Sequence, residues 1–205
     1  MTFATMASGR MIDLIQPDPA TVDIRDIAIG LATANRFNGA NARRQRGGVP
    51  FSVAQHSTVV ARLVEQLDAA PLIALQALLH DGHEAITGDM TTPCKEALGD
   101  GLHHLLALQR RLDIAIHAGL GVPLPVDIAS INTIGFADRR ALATEWRDLQ
   151  VPGPCPKGHP APANFHVTPL PWHVAEKKFL DQFERLSMLA GIVKPKIPPT
   201  PAFAK

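Results

Sequence analysis

Proline residues are distributed unevenly along the chain, and their positions limit where regular helices can form. Eleven of the eighteen prolines lie at or after Pro152. Because proline lacks a backbone N–H and clashes with the preceding helical turn, residues 151–171 are predicted to be an irregular loop. One helix is predicted at 171–190 and a frayed tail at 191–205. The core of the fold is therefore expected at about residues 20–150.

Residues before this loop show the apolar periodicity of amphipathic helices and no strand-like alternation longer than four residues. Ser52 followed by Gln55 indicates a capping box, and Pro71 suits the first turn of the next helix. Helices are predicted at about residues 23–35, 52–67, 72–87, from Thr92, 102–117 and 126–149. Together with the last helix, this pattern predicts an all-α fold, a bundle of six to seven helices.

Size and composition indicate one domain, residues 1–205, with a substantial apolar core. No apolar run of about 20 residues and no signal peptide is visible, so a cytoplasmic protein without membrane segments is expected. Cys94 and Cys155 are isolated, which favours a reducing compartment. A net charge of only +1 argues against stable nucleic-acid binding by a broad basic surface.

One stretch of the chain is locally positive. Between Ile27 and Val64 there is no Asp or Glu, but five arginines occur there: Arg36, Arg43, Arg44, Arg46 and Arg62. Arginine binds phosphate oxygens in a bidentate geometry, so the stretch suits a small anionic ligand. A solvated arginine-rich loop is the alternative interpretation.

Ionisable residues end an otherwise apolar helical segment at residues 78–84 (LLHDGHE). Such groups are costly there unless partners compensate for their burial. On one continuous helix, His80, Asp81 and Glu84 would lie on neighbouring positions and could converge. Imidazole and carboxylate together suit a divalent ion such as Mn, Fe, Co, Ni, Zn or Mg.

His56 and Asp138 are candidates for two further ligands, because each lies in an apolar helical segment. Taken alone, each has a simpler interpretation. A lone buried histidine is often hydrogen-bonded within the core, and a lone aspartate is often a helix cap or an ion-pair partner of Arg139 or Arg140. The combined pattern favours a metal site.

The order of these residues resembles the HD superfamily of metal-dependent phosphohydrolases. The resemblance extends from about Gly9 to Leu189, and it is carried by four blocks: residues 51–57 (FSVAQHS), 80–85 (HDGHEA), 88–95 (GDMTTPCK) and 137–145 (ADRRALATE). These blocks look like those of bacterial and prophage HD hydrolases. A bare His-Asp pair is common by chance, whereas four blocks in this order are a specific signal.

The resemblance implies that one divalent metal ion is held by His56, His80, Asp81 and Asp138. It also implies a role for Glu84, which aligns with the glutamate that orients water or protonates the leaving group in related bacterial 5'-deoxynucleotidases. The remaining metal positions would be open to water and a phosphate oxygen.

The resemblance also implies residues that contact substrate. Asp89 aligns with an acidic residue of the 5'-deoxynucleotidases, although a turn residue is the alternative. Arg36 and Phe37 look like the Arg-Trp pair that contacts phosphate and sugar there, and the change from Trp to Phe37 puts the sugar and base contact in doubt. Lys95, near a helix start, would add positive charge where the phosphate lies.

The expected function is release of phosphate from deoxynucleoside 5'-monophosphates by metal-activated water. Hydrolysis of a deoxynucleoside triphosphate such as dATP is an alternative, with the cluster from Arg43 to Arg46 binding the longer phosphate chain. A non-catalytic helical binding protein with a vestigial metal site is a second alternative. The base, the native metal, a second metal and the oligomeric state are left open, and apolar helix faces would allow a homodimer.

Four further residues carry predictions of their own. His83 is expected to be a hydrogen-bonded partner of the site, slightly ahead of a second-metal ligand or a surface residue. Trp146 and Trp172 are expected to be packing anchors. Glu145 is expected to be a charge on the helix surface or in helix packing.

Overall fold

The computed structural model describes residues 2–42 and 46–193, without the side chain of Arg46. Arg43, Arg44 and the part of the predicted tail from residue 194 onward lie outside the described residues. Within the described ranges the chain forms eight α-helices: α1 (Ile24–Thr33), α2 (Val53–Glu65), α3 (Pro71–Leu78), α4 (Glu84–Thr87), α5 (Thr92–Ala97), α6 (Leu102–Leu120), α7 (Ile128–Leu149) and α8 (Trp172–Leu189). The predicted all-α helical bundle is confirmed.

Side-chain caps fix the start of three of these helices. Asp23 precedes α1 and accepts a hydrogen bond from the backbone N–H of Arg25, and Asp127 caps α7 through the N–H of Ser130. Ser52 caps α2, as its position predicted. Such oxygens satisfy N–H groups that have no partner within the helix.

The predicted helix at residues 72–87 is wrong in one respect, because it divides into α3 and α4. After Leu78 the backbone hydrogen bonds connect residues three apart instead of four, and the N–H of Gly82 donates to the carbonyl of Leu79. A Cβ at Gly82 would lie 3.0 Å from that same oxygen, so glycine permits the tight turn. This turn, residues 79–83, contains His80 and Asp81. The division also explains why eight helices form where six to seven were expected.

A short antiparallel hairpin, β1 (Phe3–Thr5) and β2 (Met11–Asp13), precedes the bundle and was not predicted. Three residues per strand are too few to show an alternating pattern. The hairpin is tied to α1 by polar contacts. Ser8 donates to Asp26 from its backbone N–H and its hydroxyl, and Arg10 pairs with Asp23 at 2.8 Å.

Helix α2 lies at the centre of the bundle and packs against α1, α3, α7 and α8. Fully buried apolar side chains fill the space between these helices, among them Val60, Leu75, Leu78 and Phe179. This packing brings the start of α2, the turn after α3 and the middle of α7 together at one end of the core.

The proline-rich segment from Val151 to Pro171 contains no regular helix or strand, as predicted. Gln55 holds it in place, because its amide donates to the carbonyl of Thr168 and accepts from the N–H of Leu170. The side chain of Gln55 therefore does not complete the predicted capping box with Ser52.

None of the helices in residues 2–42 and 46–193 combines the length and the apolar character that crossing a membrane requires.

Candidate metal centre

The four predicted ligands converge at the end of the core described above. His56 lies in the first turn of α2, His80 and Asp81 lie in the turn after α3, and Asp138 lies in the middle of α7. Asp81 Oδ2 is 3.2 Å from His80 Nε2 and 3.6 Å from His56 Nε2. Asp138 Oδ1 is 3.1 Å from His56 Nε2 and 3.9 Å from His80 Nε2. Residues as far apart as positions 56 and 138 thus surround one point.

Hydrogen bonds orient both imidazole rings toward that point. His80 Nδ1 donates to the carbonyl of Ala77 at 2.8 Å, and His56 Nδ1 donates to Glu145 Oε1 at 2.6 Å. Because Ala77 offers only an oxygen acceptor and Glu145 a carboxylate, each ring carries its proton on Nδ1. The Nε2 atom of each ring then faces the carboxylates of Asp81 and Asp138, which is the orientation of a metal-ligating histidine.

The two Nε2 atoms are buried, and neither makes a hydrogen bond within the described part of the chain. A buried polar atom without a partner costs free energy, so two of them facing the same carboxylates need an explanation. His56, His80 and Asp81 each place one donor atom within 4.8 Å of the others. This His/Asp cluster is able to hold a metal ion and fits an HD-type fold.

The cluster shifts the pKa of its own members in opposite directions. Burial lowers the pKa of His56, but the carboxylates of Glu145 and Asp138 outweigh it and raise that pKa to about 10. Burial raises the pKa of Asp138, but the adjacent imidazoles outweigh it and lower the pKa to about 2. The carboxylates therefore stabilise positive charge at this point, whether a proton or a metal ion supplies it.

Glu145 was predicted to be a charge on the helix surface or in helix packing. The surface alternative is wrong, because Glu145 lies buried between α7 and α2, and the sequence prediction did not place it in this centre. It is fully buried, bonds His56, and also pairs with Arg36 at 3.2 Å. Glu145 follows Asp138 by seven residues, which is two helical turns and the same face of α7. That spacing is the signal that could have placed it in the centre.

A cavity of about 470 Å³ opens beside the cluster. It brings together the residues predicted to act on or bind substrate: Arg36, Phe37, Glu84, Asp89 and Lys95. Asp81 and Asp138 also line it, so the predicted ligands and the predicted substrate contacts share one pocket. The volume lies within the range typical of small-molecule sites.

Glu84 begins α4 and is almost completely buried at 3% exposure. Its Oε2 makes no hydrogen bond to the described residues. Burial, together with the negative charges of Asp81 and Asp89, raises the pKa of Glu84 to about 9. Without a cation nearby, this carboxyl group holds a proton at neutral pH.

The apolar wall of the pocket contains aromatic rings. Phe37 adopts a left-handed backbone conformation, with φ of 57°, in a short 3-10 turn at Arg36–Gly39. Such a conformation is uncommon for a bulky residue and marks local strain at the pocket rim. The Phe37 ring packs edge-on against Trp146 at 5.6 Å.

Two tryptophan predictions and one histidine prediction have different outcomes. Trp146 packs against Phe37 but also lines the pocket. Trp172 is half exposed, so the prediction that Trp172 is a packing anchor is wrong.

His83 is buried, and its Nδ1 bonds Asp113 at 2.9 Å. A ring nitrogen of His83 also lies within 4.8 Å of ligand atoms of Asp81 and Glu84.

No protein-family model matches the chain. An uncharacterized protein of Rhodobacter capsulatus is 43% identical over 148 residues, which cover 70% of this chain and 71% of that protein. The uncharacterized protein YfdR of Escherichia coli is 32% identical over 193 residues, which cover 92% of this chain and 98% of YfdR. Identity of this extent along nearly the whole of both chains shows common descent, and the chain therefore belongs to the family that includes YfdR.

Proposed function

We propose that the chain is an HD-superfamily phosphohydrolase that uses one divalent metal ion to release phosphate from deoxynucleoside 5'-monophosphates. One observation carries the proposal. His56 and His80 each have a buried Nε2 that makes no hydrogen bond to the described residues. These two nitrogens face the carboxylates of Asp81 and Asp138. This set of two imidazoles and two carboxylates is a mixed ligand set for a divalent ion.

His56, His80, Asp81 and Asp138 would hold the ion. When bound, a divalent ion at such a site lowers the pKa of water and offsets charge on a phosphate. Glu145 keeps the ring of His56 in place through Nδ1. Such a carboxylate raises the basicity of the imidazole as a ligand.

The polar side of the pocket suits a phosphate group. Arg36 lies against Glu145 and is largely buried, so its guanidinium is held in one orientation. Lys95 lines the same pocket from α5. Arg36 and Lys95 bind phosphate oxygens, and Glu84 moves a proton between water and the leaving oxygen at its buried carboxyl group. Asp89 lines the same pocket as Glu84 and is the second acidic residue proposed to take part in proton transfer.

The apolar side of the pocket suits the rest of a nucleotide. Phe37, Leu142, Trp146 and Val151 line the same pocket. Aromatic and aliphatic surfaces of this kind pack against a sugar and a base. One cavity therefore offers both a site for phosphate and an apolar surface for the nucleoside.

A deoxynucleoside triphosphate such as dATP is the second candidate substrate. Ala40 lines the pocket, and the sequence has arginines three, four and six residues after it, at positions 43, 44 and 46. These arginines would add positive charge for a longer phosphate chain.

Phosphate release from nucleoside mono-, di- and triphosphates, each with Mn²⁺, Co²⁺ or Mg²⁺, tests the function. The Asp81→Ala variant is expected to lose activity by more than about 100-fold. Replacing a residue that only hydrogen-bonds to a metal ligand costs up to about 100-fold, and removing a ligand itself is expected to cost more. Circular dichroism is expected to show retained helix.

Asp100→Ala, at an exposed position, is the matched control and is expected to keep full activity. Undiminished phosphate release by Asp81→Ala would refute the assigned ligands. Absence of metal binding and of release with every substrate would favour a non-catalytic binding protein.

A further inference from the structure

A second group of ligand atoms lies next to the first and shares one residue with it. Asp81, His83 and Glu84 each offer a donor atom within 4.8 Å of the other two. The turn between α3 and α4 produces this arrangement, because the N–H of Glu84 donates to the carbonyl of Asp81 at 2.9 Å. We infer that these three residues form a second divalent-cation site, with Asp81 common to both sites.

His83 is oriented in the manner of a ligand. It is 8% exposed, and its Nδ1 bonds Asp113 Oδ1 of α6 at 2.9 Å. With the proton held on Nδ1 by a carboxylate, Nε2 is the nitrogen available to a cation. His56 has the same relation to Glu145 in the first site. The carboxylate of Asp113 therefore orients the ring of His83.

Glu84 supplies an independent observation, a buried carboxyl oxygen that has no partner within the described ranges. It is 3% exposed, and its Oε2 makes no hydrogen bond to any described residue. Among the described residues, no Lys or Arg forms an ion pair with Glu84, and Arg36 pairs with Glu145 instead. A buried carboxyl oxygen without a hydrogen bond costs free energy, and a cation bound to Asp81 and His83 would supply its missing partner.

The ligand set indicates the class of cation. One imidazole and two carboxylates suit Mn²⁺, Fe²⁺, Co²⁺ or Zn²⁺ better than Ca²⁺, which takes six to eight oxygen ligands. Three protein ligands also leave coordination positions for water or a ligand oxygen. The inference concerns how many cations bind, so it goes beyond the proposed function and does not depend on the substrate.

Metal stoichiometry of the full chain tests the second site without measuring activity. Chelator-treated protein is equilibrated by dialysis with Co²⁺, and bound cobalt is counted by mass spectrometry and titrated calorimetrically. Two ions per chain are expected for the unaltered protein, and one for His83→Ala. His104→Ala, which changes an exposed histidine of α6, is the matched control and is expected to bind two.

A milder variant protects the test against misfolding of His83→Ala. Asp113→Asn keeps the shape of the side chain, and the affinity for one of the two ions is expected to fall by about 10- to 100-fold. Circular dichroism shows whether each variant is folded. One ion per chain in the unaltered protein would overturn the inference, as would two ions in His83→Ala, or loss of both ions from a natively folded His83→Ala. These outcomes leave phosphate release by the unaltered protein as a separate question.

Discussion

Glu145 shows how much one side chain can decide in this protein. Its carboxylate is fully buried and touches both a predicted ligand, His56, and a predicted phosphate contact, Arg36. The negative charge of Glu145 holds the His56 proton on Nδ1 and compensates the guanidinium. Glu145 therefore sets the orientation of one predicted metal ligand and of one predicted phosphate contact.

Glu145→Gln is expected to weaken metal binding by about 10- to 100-fold, because a neutral amide supports the basicity of His56 less than a carboxylate does. Calorimetric titration of chelator-treated protein with Mn²⁺ or Co²⁺ measures the effect. Glu65→Gln is the control, since Glu65 pairs with Arg185 at a partly exposed position. Equal affinities in the two variants would contradict the role given to Glu145.

At the scale of single residues, the sequence allowed prediction of the His/Asp cluster but not of Glu145, which orients His56. His56, His80, Asp81 and Asp138 match blocks of a resembling family, so their convergence could be expected. Glu145 was missed because a glutamate in a long helix is ordinarily a surface charge. Only the packing of α2 against α7 shows that this one faces His56.

Among the helices, the short α4 depends on a close approach to α1. A Cβ at Gly30 of α1 would lie 2.7 Å from the carbonyl oxygen of Ala85 and 2.8 Å from its Cβ. Only glycine allows the two backbones to come this near. Because α4 begins with Glu84, this contact also fixes one edge of the candidate centre.

Gly30→Ala is expected to destabilise the protein by about 1–3 kcal/mol, since the added methyl group must push α1 and α4 apart. Gly135→Ala is the matched control with the opposite expected sign. A Cβ there meets only the end of the Arg139 side chain at 3.4 Å, and alanine favours helix by about 0.5–1 kcal/mol. Urea unfolding of both variants measures the change in the free energy of unfolding. A stabilised Gly30→Ala would show that the contact is loose.

Helix boundaries could be predicted closely because their signals are local. The end of α7 at Leu149 and the cap of α2 at Ser52 are where the residues placed them. The division of 72–87 could not be predicted, because apolar periodicity continues through Leu79 and Ile86. The break arises from the tight turn that Gly82 permits and from burial of both neighbouring segments.

Across the whole molecule, the proline-rich segment is held against the bundle by a few polar anchors and a small apolar cluster. Asp148 accepts a hydrogen bond from the N–H of Val167 at 2.9 Å and pairs with Arg147. Val151 and Val167 of the segment bury their side chains against Phe51 and Leu149. These contacts connect α7 with α8 and close one side of the pocket.

Asp148→Asn is expected to lower the free energy of unfolding at pH 7 by about 1 kcal/mol. The hydrogen bonds to the charged carboxylate are lost, and the neutral amide of asparagine replaces them only in part. Burial raises the pKa of Asp148, but hydrogen bonds from Arg147 and Val167 outweigh it and lower that pKa below the ordinary 3.8. Because the folded pKa is the lower one, the carboxylate stabilises the fold above about pH 4 and loses this effect as the pH falls through the folded value.

The difference in stability between the unaltered protein and Asp148→Asn should therefore be largest near neutral pH and shrink toward pH 2. Denaturant unfolding at a series of pH values measures it. Asp181→Asn, at an exposed ion pair with Lys177, is the control and should show little difference at any pH. A difference that grows with acidity would contradict the assignment to Asp148.

The positions of the two tryptophans have a practical consequence. The chain contains no tyrosine, so Trp146 and Trp172 dominate its ultraviolet emission. Trp146 borders the pocket, while Trp172 lies half exposed at the start of α8. With Trp172 changed to Phe, the remaining indole would respond to whatever enters the cavity. The protein thus carries its own fluorescent reporter in the pocket that adjoins the candidate metal centre.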